Sequence, residues 1–121
     1  MGVQPLRLTP RWVDADLLVV EAAGVFDAAS APLLCGPLVR LLRVGHRHFV
    51  VDAQRVTHFN CAGIQLLAAA RRTIRAEGGM LTLVAGPDAR SAFKTADVGR
   101  SAFLYATVVE ASRACKAAHL G

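Results

Sequence analysis

No stretch of this chain stays apolar for the roughly 20 residues that a membrane-spanning helix needs. Its apolar patches, such as Leu17 to Val20 and Ile64 to Ala70, are the length of a strand or of a short piece of helix. Membrane insertion is therefore not expected. Met1 to Leu8 lack an apolar core followed by a small-residue cleavage site, so no secretory signal is read there and the cytoplasm is the expected compartment. There are only three cysteines, Cys35, Cys61 and Cys115, odd in number, far apart and without a Cys-x-x-Cys pair, which excludes a disulfide framework. Cys35-Gly36-Pro37 begins like a redox motif, but Leu38 stands where the second thiol would be. Aromatic residues are 6% of the chain and do not alternate with its basic residues, so the stacking surface of a nucleic-acid binder is missing and direct nucleic-acid binding is not expected. His46 and His48, two apart, lack an evident third ligand, so no metal and no other cofactor is expected.

What is present suits a compact globule. Of 121 residues, 54% are hydrophobic, enough for one core, and neither repeats nor low-complexity tracts interrupt them. Residues 1–121 are read as a single domain with its core at about 6–118. The charge is +5, from 14 basic and 9 acidic residues. The basic residues are scattered, apart from Arg71, Arg72 and Arg75 and a group from Arg40 to His48, both at expected helix surfaces or ends.

Along the chain, Leu6 to Val13 alternates loosely and contains Pro10. It is expected to be an edge strand with an interruption. Asp14-Ala15-Asp16 is a turn and Leu17 to Ala22 a second strand, paired with the first in a hairpin. Gly24-Val25-Phe26-Asp27 ends that strand and opens a loop. Asp27 or Ser30 can cap the next helix, whose Leu33, Leu34, Leu38, Leu41 and Leu42 recur at helical spacing. Pro37 inside it is expected to kink or split it, and Gly45 to stop it. Phe49 to Asp52 reads as a short buried strand with an acidic end. After Val56 to Gly63, a helix reaches about Ala76, with Ile64, Leu67, Ala68 and Ile74 inward and Arg71, Arg72 and Arg75 outward. Met80 to Val84 is a strand, Asp88 caps a short helix to about Ala96, and Phe103 to Tyr105 is a last strand. Thr107 and Glu110 have capping-box spacing for a final helix to about Ala118. This order predicts an α/β fold: a mixed, mostly parallel β-sheet with an N-terminal hairpin, packed by about four helices.

The most informative segment is Val56-Thr57-His58-Phe59-Asn60-Cys61-Ala62-Gly63. A strand end, a polar loop and a helix start meet there, leaving backbone N–H groups free at a helix N-terminus. The residue presented at that point is Cys61.

Taken with Gly24-Val25-Phe26-Asp27, Val50-Val51-Asp52, Gly78-Gly79 before an apolar strand, and Phe103-Leu104-Tyr105 before a capped helix with Glu110-Ala111, this segment resembles the STAS domain family of anti-sigma factor antagonists. The resemblance covers about residues 6–118. In that family the Ser after an Asp in this loop is phosphorylated by an ATP-dependent anti-sigma kinase, and a phosphatase reverses it. The unmodified form binds the anti-sigma factor and frees the sigma factor. Carried across, Asn60 takes the Asp position, Cys61 the phosphoacceptor position, Ala62 the second hydroxyl position, and Gly63 the glycine. The resemblance implies a partner surface of Gly24, Val25, Phe26, Asp27, Asn60, Cys61, Ala62, Gly63 and Gln65, docking an anti-sigma factor with a serine-kinase-like character. Cys61 has no hydroxyl and Ala62 cannot replace it, so regulation by serine phosphorylation is not expected here, and the chain is expected to stay near its binding-competent form.

Two other readings are kept. The same fold can serve as an accessory subunit of a lipid or anion transport complex. Cys61 can be a redox-sensing thiol, since a helix N-terminus favours the thiolate and oxidation would add bulk at the surface. Catalysis is not expected: Cys61 lacks an evident partnered base and no Cys-x5-Arg loop is present. Cys35 and Cys115 are expected to pack as small apolar residues, His46 and His48 to lie in a solvated loop, His119 to be exposed, and Trp12 and Tyr105 to pack rather than to stack on a ligand. Association with a second copy is left open.

Overall fold

The computed structural model describes residues 5–95 and 103–120, with the backbone alone at 88 and 118–120. Five strands and four helices follow in the order β1 (Arg7–Asp14), β2 (Leu17–Phe26), α1 (Ala31–Arg43), β3 (His48–Phe59), α2 (Cys61–Ala76), β4 (Met80–Val84), α3 (Pro87–Thr95), β5 (Leu104–Tyr105) and α4 (Val108–Leu120). The sheet order is β1-β2-β3-β4-β5. The β1–β2 hairpin is antiparallel and the remaining pairs are parallel. This is the expected mixed α/β architecture.

Strand alternation divides the core between two faces. On one face Leu18, Val20 and Ala22 of β2 pack with Leu34, Leu38 and Leu42 of α1 and Ile64, Leu67 and Ile74 of α2. On the other, Leu17 and Val19 pack with Val50, Val84 and the α4 residues Ala111 and Cys115. Helix α4 is fastened by the Thr82 hydroxyl donating to the Ala111 carbonyl at 3.0 Å and by the Cys115 thiol at 3.3 Å from the Met80 carbonyl. Burial pushes the pKa of Cys115 up to about 11.

Several local expectations change. Pro10 does not interrupt β1: it faces Val20 in continuous register, tolerated because β1 has a neighbour on one side only. The short strand Phe49 to Asp52 is part of the twelve-residue β3, and β2 likewise continues past Ala22 to Phe26. The two run together to the Phe26–Phe59 pair, past β4, which stops opposite Asp52. Register shifts after Glu21 and after Gly24 let them continue, and Gly24 has φ +103°. His48 is not in a loop but opens β3 and is 8% exposed, while His46 stacks against Trp12 with ring centroids 4.7 Å apart. Trp12 remains 46% exposed. Asp88 lies within the first turn of α3, after Pro87, rather than before it. Ala96 lies outside the described residues, as does the side chain of His119. Thr107 does cap α4, its hydroxyl accepting from the Glu110 N–H at 3.1 Å.

Pro37 neither kinks nor splits α1, which is one thirteen-residue helix. Proline there withholds an N–H from the Leu33 carbonyl. Leu33 lies on the exposed side of the helix, 58% accessible. The cost remains local, and Pro37→Ala is expected to stabilise the fold by about 1–2 kcal/mol. Urea unfolding checks this as a higher midpoint at unchanged slope.

Candidate functional site

The two segments singled out in the sequence meet at the ends of β2 and β3. The Asn60 N–H donates to the Phe26 carbonyl at 3.1 Å, so the loops leave the sheet side by side. Asn60 then caps α2, its Oδ1 accepting from the Gly63 N–H at 2.8 Å. The Ile64 N–H reaches the Asn60 carbonyl at 3.0 Å. Behind this turn α2 passes so close to the first loop that a Cβ on Gly63 would lie 2.9 Å from the Cα of Asp27. Only glycine fits there.

The first loop is braced by its own reciprocal bonds. The Ser30 N–H donates to the Asp27 carboxylate and the Asp27 N–H to the Ser30 hydroxyl, each at 2.9 Å. That hydroxyl donates to the Val25 carbonyl, also at 2.9 Å. Ser30 occupies the N-cap position of α1 but makes no side-chain cap bond, so the Asp27–Ser30 pair stands in for a simple cap. The Ser30 N–H lowers the pKa of Asp27 below the usual carboxylate value; burial opposes this, while the Ser30 hydroxyl, the Ala29 N–H and the charge of His58 add to it. The Thr57 hydroxyl donates to the Gly24 carbonyl at 3.2 Å, a third tie between the strands.

Cys61 is the first residue of α2 and is exposed. Among the described residues its thiol has no hydrogen-bond partner, and no acid lies in the first turn of the helix. Ala62 and Gln65 are exposed beside it, Asn60 and Asp27 half-buried. Gly24, Phe26 and Gly63, by contrast, are buried. They support the surface from beneath and are not available to touch a partner. Phe26 begins an aromatic row, with centroids 5.5 Å from Phe26 to Phe59, 5.5 Å on to Phe93 and 5.8 Å on to Phe103, where the Arg71 guanidinium lies 4.7 Å above the ring. Arg71 is thus half-buried on the core side, unlike the exposed Arg72 and Arg75. Sequence reasoning missed Leu66, 42% exposed next to Gln65, with the thiol of half-buried Cys35 4.0 Å from its carbonyl. Its signal was the position one residue outside the buried stripe Ile64, Leu67, Ala68.

The site offers an exposed, uncharged knuckle at a helix N-terminus. Among the described residues no base is hydrogen-bonded to the Cys61 thiol, and no group of three potential metal ligands exists. The sequence model of the family described as Mlab, STAS domain matches residues 13–110. The chain belongs to the STAS domain family. A comparison with curated proteins finds no match. Among solved structures, the STAS chain is similar to the anti-sigma factor antagonist SpoIIAA in its unphosphorylated form, at 16% identity and TM-score 0.75, over 92% of this chain and 97% of that one. It is similar to an anti-sigma factor antagonist from Mycobacterium paratuberculosis at 23% identity and TM-score 0.76, over 92% and 94%. It is also similar to part of the murine Solute Carrier 26 family member A9 anion transporter, at 13% identity and TM-score 0.64, over 93% of this chain and 22% of that one. At these identities the likeness establishes the fold.

Two outcomes test this geometry. Gly63→Ala is expected to destabilise the STAS domain by about 1–3 kcal/mol, because backbone and not a flexible side chain must yield; thermal or urea unfolding reads it. Ellman's reagent on the native protein is expected to titrate Cys61 fast. Cys35 and Cys115, both pushed up to about 11 by burial, should react only slowly or on unfolding. Cys61→Ser should remove the fast phase alone.

Proposed function

We propose that this STAS domain is a non-enzymatic, cytoplasmic protein-binding regulator of the anti-sigma factor antagonist kind. Its partner is an ATP-binding anti-sigma factor with serine-kinase-like character. The docking surface is Asp27, Asn60, Cys61, Ala62 and Gln65, held in place by Gly24, Val25, Phe26 and Gly63. The observation that carries this reading is an exposed Cys61 at the first position of α2, beside Asp27, in a fold shared with antagonists solved in both unphosphorylated and phosphorylated forms.

The chemistry of a switch at this point is simple. A phosphoryl group brings about two negative charges and three strong acceptors. The helix N-terminus tolerates them within the chain, but a partner must desolvate them or meet them with its own acids. Cys61 keeps roughly the size of serine and has no hydroxyl for a serine kinase. The STAS domain therefore stays in its docking form under conditions that would silence a serine-bearing relative.

A second reading, the accessory subunit of a lipid or anion transport complex, is supported by the Mlab family description and by the same fold within an anion transporter. Affinity purification from the native cell separates the two, by recovering an ATP-binding anti-sigma factor or a transporter ATPase. With either partner, Cys61→Ser should retain capture and Cys61→Asp should reduce it at least about tenfold, while the Asp variant remains as stable as the parent because a carboxylate suits a helix N-terminus. Equal recovery of all three proteins would remove this surface from the interface.

A further inference from the structure

The sheet face opposite Cys61 carries a single helix, and α4 covers only part of it. Between α4 and the edge strand β1 lies an open groove of about 400 Å³. Its floor is Leu17, 2% exposed, and its apolar lips are Val13 on β1 and Val109 on α4, 52% and 59% exposed. Arg11 and Arg113 stand along the rim. A third cation, Lys116, is already paired with Asp14, and Asp16 lies close enough to act on it. Arg11 and Arg113 have no ion-pair partner among the described residues.

We propose that this groove docks an acidic, apolar peptide segment of a partner protein, with aliphatic side chains seated against Val13 and Val109 and carboxylates against Arg11 and Arg113. Exposed valines scattered singly would need no explanation. Here two from opposite ends of the chain share one concave floor with buried Leu17, and the charged side chains that line the groove itself, Arg11, Arg113 and Lys116, are all basic. Charge sign and shape select the occupant. A second copy docked through the same groove would bring two basic rims together. A membrane surface needs protruding aromatic or leucine anchors, whereas this feature is recessed and lipped by valine. Addition of a strand to β1 is blunted by Pro10 and by the charged Arg7 and Arg11, so the contact is made by side chains. The groove and the Cys61 surface lie on opposite faces, which would let one domain hold two partners at once.

The test is to pan a random dodecapeptide display library against the full chain and titrate fluorescein-labelled copies of the enriched peptides by anisotropy. The expected peptides combine Asp or Glu with Val, Leu or Ile. Their affinity should fall at least about tenfold with Val109→Glu and with Arg113→Glu, and should weaken as salt is raised. Val44→Glu, an exposed substitution at the end of α1, should leave it unchanged. Arg113 is exposed, so its variant retains the fold and keeps the test meaningful should Val109→Glu lose it. No enrichment, enrichment of non-acidic peptides, or indifference to both groove variants would overturn the proposal. So would capture of phosphatidylglycerol vesicles, or a dimer in sedimentation, abolished by the same substitutions.

Discussion

The approach of Gly63 to the backbone of Asp27 is the constraint on which the candidate site depends. With a Cβ contact distance of 2.9 Å waiting there, α2 can start where it does only because residue 63 has no side chain. The same approach sets the loop after β2 against the loop after β3, and the Asn60 to Phe26 backbone bond fixes their relative height. Extension of β2 and β3 beyond β4 then lifts both loops clear of the sheet. Beneath them the row of Phe26, Phe59, Phe93 and Phe103 replaces the missing strand pairing with aromatic packing. The candidate surface is therefore built on buried residues.

The sheet divides the molecule unequally. The face bearing α1 and α2 holds the larger apolar cluster, while the α4 face holds a smaller one sealed by Ala111 and Cys115. Small residues on α4 let it lie close to the sheet, as the contacts of Cys115 with the Phe49 and Met80 carbonyls require. One helix cannot span five strands, and α4 packs on β3, β4 and β5, so this face is left open towards β1 and β2. Towards the strand ends the opening is polar, with Glu21 beside Asp52. Towards β1 it is apolar with a basic rim. The asymmetry follows from topology, and the chemistry of the openings from which residues β1 places there.

Much of this was legible in the sequence because the periodicities are clean. Leu34, Leu38 and Leu42, and Ile64, Leu67 and Ile74, announce their helices and are buried as expected. Asn60 and Gly63 announce the helix start. The errors have physical causes. Pro10 and Pro37 carry an intrinsic cost, but Pro10 sits in an edge strand and Pro37 on a helix whose residue four positions back, Leu33, is exposed. The strand expected to end at Asp52 runs on through Gln54 and Arg55, because there β3 has outrun β4 and exposed polar residues can continue it. His48 looked solvated beside His46 because nothing local marks the first residue of a buried strand. The burial of Gly24 and Phe26 could not be read from one loop alone, since it arises from contacts with residues more than thirty positions away. Leu66 and the groove beside α4 share that origin: exposure is decided by which neighbours a fold omits.

Cysteine at position 61 is most informative when set against what surrounds it. The first turn of α2 has no acid, and its N–H groups at Cys61 and Ala62 are not used by the Asn60 cap, which serves Gly63 and Ile64. An anion would be welcome there on the chain's own account. In the neighbouring loop the Ser30 N–H lowers the pKa of Asp27 against the opposing effect of burial. The fold thus places a receptive helix end next to a loop that carries an acid, with a thiol at the first helical position. Replacing oxygen by sulfur changes no volume that the backbone must accommodate, which is why the site keeps its shape. What it alters is the chemistry: a phosphoryl donor specific for hydroxyls finds no hydroxyl at residue 61 or 62, so under the proposed function docking would follow the partner's availability rather than phosphorylation at this point.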